Sequence, residues 1–177
     1  LPYFFTMKVA EKENICQEET FNALFAAHAK DLYNFLYYKY GPGNNPHDMV
    51  QEAFIKLWAN CHKVIVAKAR AFLFTVANNQ TLSALAKTKT ALKYAEDRPK
   101  DYTAETPAYL LEEKEYKARL EQAINELTPE QRTAFLLNRV EGKKHQEIAE
   151  MLGISRKAVE KRIYTALAKL RQKVEGI

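Results

Sequence analysis

The sequence predicts an all-α protein, two small helical domains joined by a flexible linker, the C-terminal one a helix-turn-helix. Three observations predict it. Apolar residues in both halves recur three, four and seven positions apart, the spacing of one helix face, and little of the chain alternates as a strand does. That spacing fails over 88–108, where TKTALKYAEDRPKDYTAETPA carries two prolines, mixed charge and few apolar anchors. Near the C-terminus a capped helix, a glycine turn and a second capped helix follow one another.

Composition sets the bounds. The 177 residues are 47% hydrophobic and 28% charged, an ordinary globular balance that argues against global disorder. No apolar run approaches the roughly 20 residues of a membrane-spanning helix, so a transmembrane protein is not expected. The opening LPYFFTM lacks the basic lead, long apolar stretch and cleavage site of a secretory signal, and Met7 is the expected start behind residues 1–6. Two cysteines, Cys16 and Cys61, are too few for a disulfide scaffold, and a reduced, cytoplasmic setting is expected.

The elements follow in order. After an N-terminal extension over 1–16, Thr20 is placed to cap a helix bearing Phe21, Leu24, Phe25, His28, Leu32, Phe35 and Leu36. Gly41-Pro42-Gly43 ends it. Asn45, Pro46 and Asp48 start a second helix, with Val50, Ala53, Phe54, Leu57 and Trp58 on its core face. A break over 60–67 precedes a third helix, 69 to about 87, with Phe72 and Phe74 read as core. Residues 17–87 thus form the first domain, 88–108 the linker and 109–177 the second domain. In the second, a helix over 109–127 leads to Thr128-Pro129-Glu130-Gln131, a capping box with proline at the first helical position. That helix stops at Glu141-Gly142. In the next, Ile148, Ala149 and Leu152 form an apolar stripe, Gly153 turns the chain and Ser155 caps the last helix. Val159, Ile163, Ala166, Leu167 and Leu170 then point inward.

Charge is distributed unevenly around a formal net charge of +5. Residues 53–95 hold seven Lys/Arg and no carboxylate, and residues 155–177 hold seven against two. Two basic blocks set among acidic ones suit a polyanion held at two places; two solvated basic faces are the plainer alternative. The last helix presents Arg156, Lys157, Glu160, Lys161 and Tyr164 outward near its N-terminal half, where such a helix meets base edges in the major groove. Arg reads guanine bidentately and Glu accepts from cytosine. Arg162, Lys169, Arg171 and Lys173 are placed for phosphates.

The segment LTPEQRTAFLLNRVEGKKHQEIAEMLGISRKAVEKRIYTALAKLR resembles region four of bacterial sigma factors, while NPHDMVQEAFIKLW and RAFLFTVANNQTLSALAK resemble region two. Both, in this order around a short linker, resemble the extracytoplasmic-function group. The resemblance implies a transcription initiation factor. It implies that Asp48, Gln51 and Glu52 dock on the coiled coil of the β′ subunit of core RNA polymerase, and Ile55, on the same face, joins them as a partner-surface candidate. It implies that RAFLFTVANN opens and reads the minus-ten element, with Asn78 and Asn79 among the polar amides and Lys63, Lys68, Arg70 and Lys87 supplying charge to a melted strand. Ser155 and the five outward residues of the last helix are the minus-35 candidates. Phe72, Asn78, Ser83 and Ala86 depart from the family's frequent Trp, Arg, Asp and Arg, so fewer phosphate contacts are available here. An anti-sigma partner is implied as well.

Other chemistry is not indicated. His28 reads as a core-edge residue, and Cys61-His62 lacks a second pair at zinc-site spacing, so no metal is expected. No cofactor motif, nucleophile elbow or HExxH is present, and no enzyme activity is expected. The alternatives are a helix-turn-helix regulator that binds an operator as a dimer without joining polymerase, and a helical adaptor that no longer binds DNA.

Overall fold

A computed structural model of the chain describes residues 14–92 and 108–174, with side chains over 14–87 and 115–174. Every regular element among the described residues is helical: α1 (Glu18–Tyr40), a 3-10 turn (Pro42–Asn44), α2 (Pro46–Ala59), α3 (Val66–Leu92), α4 (Ala108–Asn125), α5 (Pro129–Arg139), α6 (His145–Leu152) and α7 (Arg156–Lys173). The chain divides into two compact units, one of residues up to Leu85 together with Glu150–Gly153, the other of the remainder. The expected extension before residue 14 and the expected linker between 92 and 108 lie outside the described residues, and α3 runs five residues past the expected end at Lys87.

In the first unit, α1 and α2 form a helical hairpin around Leu24, Leu32, Phe35, Leu36, Val50, Ala53, Phe54 and Leu57, all buried, and α3 adds Ala69, Leu73, Phe74 and Ala77. Its corner needs two left-handed backbones, Gly41 (φ 81°) and Asn45 (φ 47°). Asn tolerates that conformation, but there its side chain makes no cap bond, so Pro46 starts α2 by its fixed φ alone. Thr20 is not the cap of α1. The helix begins three residues earlier, behind Gln17, and puts Glu18 and Glu19 in the first turn, where carboxylates complement the helix dipole. Trp58 and Phe25, placed by spacing in the core, are each 45% exposed. They sit at its rim through ring contacts of Phe21 with Trp58 (5.0 Å) and Phe25 with Phe54 (4.8 Å).

The same hairpin overturns the expectation of reduced cysteines. Cys16, just ahead of α1, and Cys61, just after α2, are joined by a disulfide with their Cα atoms 5.1 Å apart. Their separation of 45 residues conceals a neighbourhood that only the folded-back pair of helices creates.

The second unit packs α5 and α4 on α7. Its core is Leu127, Ala134, Phe135, Leu137, Ile148, Val159, Ile163, Ala166 and Leu170. Leu152, expected on the apolar stripe of α6, is half-buried. Thr128 Oγ1 accepts from the Gln131 amide (3.3 Å), as the capping box requires. The reciprocal arm is spent elsewhere, since Gln131 Oε1 accepts from Lys169 Nζ (3.1 Å).

Candidate nucleic-acid interface

The turn between α6 and α7 is fixed locally. Gly153 has φ 64°, which suits a residue without Cβ, and Ser155 Oγ accepts from the Ala158 amide (3.2 Å) to start α7. At α6 no hydroxyl residue caps the helix. Glu147 instead reaches back to accept from the Lys144 amide (2.6 Å), the second arm of a capping box without the first.

With Val159, Ile163, Ala166 and Leu170 facing inward, α7 leaves Ser155, Arg156, Lys157, Lys161 and Tyr164 exposed, Tyr164 by 75%. Glu160 is half-buried. It accepts from Arg156 Nε (2.9 Å) and lies 3.6 Å from His145 Nδ1. Two expected base readers are therefore paired with each other one helical turn apart. Lys157, Lys161 and Tyr164 join Asn138, Arg139 and His145 around an open hollow of 640 Å³. Arg139 and His145 escaped the sequence reading because they come from other helices. Their basic side chains beside an outward helix face were the available signal. Lys169 bonds Gln131, and Lys173 pairs with Glu126, so both tie α7 to the unit's own surface.

In the first unit, Asp48, Gln51, Glu52 and Ile55 are all exposed on α2, spaced three, four and seven apart, with Ile55 62% exposed. The Gln80 amide of α3 lies 3.5 Å from Glu52 Oε2, and turned over it accepts from Lys56 Nζ (3.2 Å). Either way it braces α2 against α3.

The five minus-ten candidates do not share one face of α3. Lys68 and Asn79 do, eleven residues or about three turns apart, and both are exposed. Lys87 is exposed about a quarter-turn away. Arg70 and Asn78 are half-buried on other faces. Asn78 Oδ1 accepts from Lys39 Nζ (2.8 Å) and Tyr40 Oη (2.6 Å), so its carbonyl holds α3 to the end of α1. Phe74 is buried and Phe72 half-buried. Burial, then the nearby Arg70 charge, holds the His28 imidazole below its ordinary pKa, against an opposing pull from Asp31.

Cys16, Cys61 and His62 form a cluster that the spacing argument against a metal pair did not foresee. Their sulfur atoms and one ring nitrogen all lie within 4.8 Å of one another. In the disulfide state the two sulfurs are spent on each other.

Comparison with known proteins bears on both units. A family described as Sigma-70 region 2 matches residues 24–90, and one described as Sigma-70, region 4 matches residues 117–170. The chain is 26% identical over 157 residues to the ECF RNA polymerase sigma factor SigE of Mycolicibacterium smegmatis, covering 86% of this chain and 60% of that protein. It is likewise 26% identical over 166 residues to the ECF RNA polymerase sigma factor SigX of Bacillus subtilis, covering 89% and 85%. The chain thus spans less than two thirds of the first of these relatives. Among solved structures it resembles the sigma factor RpoE of Bartonella quintana, crystallised with the anti-sigma factor NepR. The TM-score is 0.57 at 21% identity, covering 86% of this chain and 94% of that one, a likeness of fold. With a region-two match on the unit carrying the α2 face and a region-four match on the helix-turn-helix unit, the chain belongs to the sigma-70 family, and both of these relatives are ECF sigma factors.

Proposed function

We propose that this protein is a non-enzymatic transcription initiation factor of the cytoplasm that binds core RNA polymerase and directs it to specific promoters. Residues 17–87 serve polymerase and the minus-ten element, 109–177 serve the minus-35 element, and 88–108 tether the two. The observation that carries the reading is the presence in one chain of both family regions. Asp48, Gln51, Glu52 and Ile55 dock on the β′ coiled coil, the exposed Ile55 supplying apolar contact among polar neighbours. Ser155, Arg156, Lys157, Glu160, Lys161 and Tyr164 meet the minus-35 duplex, which α7 enters by its N-terminal half. Lys68, Asn79 and Lys87 contact the opened minus-ten strand, with Arg70 and Asn78 shaping α3 from its other faces. An anti-sigma factor masks one of these faces until a signal arrives.

The test is capture of core polymerase by wild type and by the Gln51→Ala/Ile55→Ala double variant. Both side chains are exposed, so the variant is expected to fold and to lose stoichiometric capture. No capture by wild type, alongside salt-dependent DNA binding, would favour an operator-binding regulator instead.

A further inference from the structure

We propose that Cys16 and Cys61 are a hydroperoxide-reactive thiol pair, activated by His62, whose oxidation fastens the segment ahead of α1 to the turn that leads into α3. The argument starts from position. Cys16 is half-exposed, Cys61 is 9% exposed, and the exposed His62 ring places Nδ1 3.2 Å from Cys16 Sγ. A thiol within hydrogen-bond reach of an imidazole has a proton acceptor at hand, and thiolate is the reactive form. Cys61 and His62 also lie inside the 43-residue stretch, 53–95, that holds seven Lys/Arg and no carboxylate. An inert structural cysteine would be expected in apolar surroundings away from such groups.

The roles divide by exposure. Cys16 meets the oxidant and Cys61, more buried behind it, resolves. The Cys16 thiolate attacks the terminal oxygen of a hydroperoxide, the O–O bond breaks, and an alcohol leaves with the proton that His62 took from the thiol. Cys16 is then a sulfenic acid. The Cys61 sulfur attacks the Cys16 sulfur, the S–S bond forms, and the sulfenic oxygen departs as water with the Cys61 proton. Two electrons pass from the two sulfurs to one peroxide. Across the formed bridge the Cα atoms are 5.1 Å apart, within the range a disulfide spans.

The bridge joins two turns. One is the turn at 14–17, where the Gln17 amide donates to the Asn14 carbonyl and Ile15 is fully buried. The other is the turn at 60–65, held on its own by backbone bonds from the Lys63 and Val64 amides to the Asn60 carbonyl. A disulfide in the cytoplasm is more often transient and redox-sensing than permanent. That last step rests on the proposed function, whereas the reactivity does not, and the experiment reads the reactivity.

The full chain is reduced, freed of reductant without air, and exposed to cumene hydroperoxide, with thiols counted by alkylation and mass. Wild type is expected to lose both thiols and two hydrogens, and to recover them with dithiothreitol. Cys61→Ser is expected to stop at a sulfenic acid on Cys16 that dimedone traps. His62→Gln is expected to reach the same disulfide more slowly, on the order of tenfold or more. The exposed His62 site keeps that comparison open even if Cys61→Ser fails to fold, which circular dichroism reports. Equal rates for wild type and His62→Gln would overturn the proposal. So would Cys61 reacting as fast in Cys16→Ser, or a reduced chain that retains zinc on the three groups and resists the hydroperoxide.

Discussion

Glu160 illustrates how a side chain chosen by sequence for one role is engaged in another. Its carboxylate is shared between Arg156, 2.9 Å away, and His145 on α6, and only on release could either partner turn wholly to DNA. Exposed i,i+4 pairs of this kind contribute about 0.3–0.5 kcal/mol to stability. Glu160→Gln is therefore expected to leave thermal stability nearly unchanged while freeing Arg156. Tighter binding to non-promoter duplex and a smaller preference for promoter duplex should follow, measured by competition binding at fixed salt. Lys157→Ala should cost promoter duplex about 1–3 kcal/mol of affinity and relax the preference for it in the same competition.

His28 makes a second residue-scale prediction. Burial holds its folded-state pKa below the ordinary 6.5, so below that pH the unfolded chain binds more protons than the folded one. The stability of the first unit is then complete above pH 6.5 and declines as pH falls through and below it. Urea midpoints at pH 7.5 and 5.5 should differ in wild type, and His28→Leu should reduce the difference.

At the scale of elements, caps and turns were the most legible features. Thr128, Ser155, Pro46 and Gly153 each act within four residues of themselves, so the local sequence contains the whole cause. Thr128→Ala and Ser155→Ala are each expected to cost about 1 kcal/mol by chemical denaturation. Gly153→Ala, with open space around the added Cβ, should cost about 1–2 kcal/mol through the left-handed backbone alone. What escaped the sequence was non-local. Spacing put Trp58 on the core face but not at the rim of a cluster with Phe21. Asn78 read as an open amide, yet its oxygen is fixed by Lys39 and Tyr40 nearly forty residues earlier. Gln131 was expected to complete its own capping box and bonds Lys169 on another helix. The shared exposure of Asp48, Gln51, Glu52 and Ile55 was legible because one helix carries all four residues. The minus-ten set was less so, because sharing a helix does not mean sharing a face.

For the whole molecule, one chain carries matches to two regions of one family, and on the proposed function linking two DNA-binding modules raises the effective concentration of each. The disulfide belongs to the first unit alone. Closing a loop of 45 residues constrains the unfolded chain by about 4 kcal/mol of loop entropy. Reduction is expected to lower the denaturation midpoint of the first unit and leave that of the second in place, read by hydrogen exchange resolved along the sequence.

The closed loop also sets a length. A chain pulled by its ends, or drawn through the narrow ring of an unfolding protease, extends only outside a covalent loop. In the oxidised protein the stretch from Cys16 to Cys61, 45 residues apart, contributes almost nothing to the fully stretched contour. At about 3.5 Å per residue the reduced chain should extend by about 150 Å more in an optical trap. A translocating ring must admit the oxidised stretch as two strands abreast rather than one.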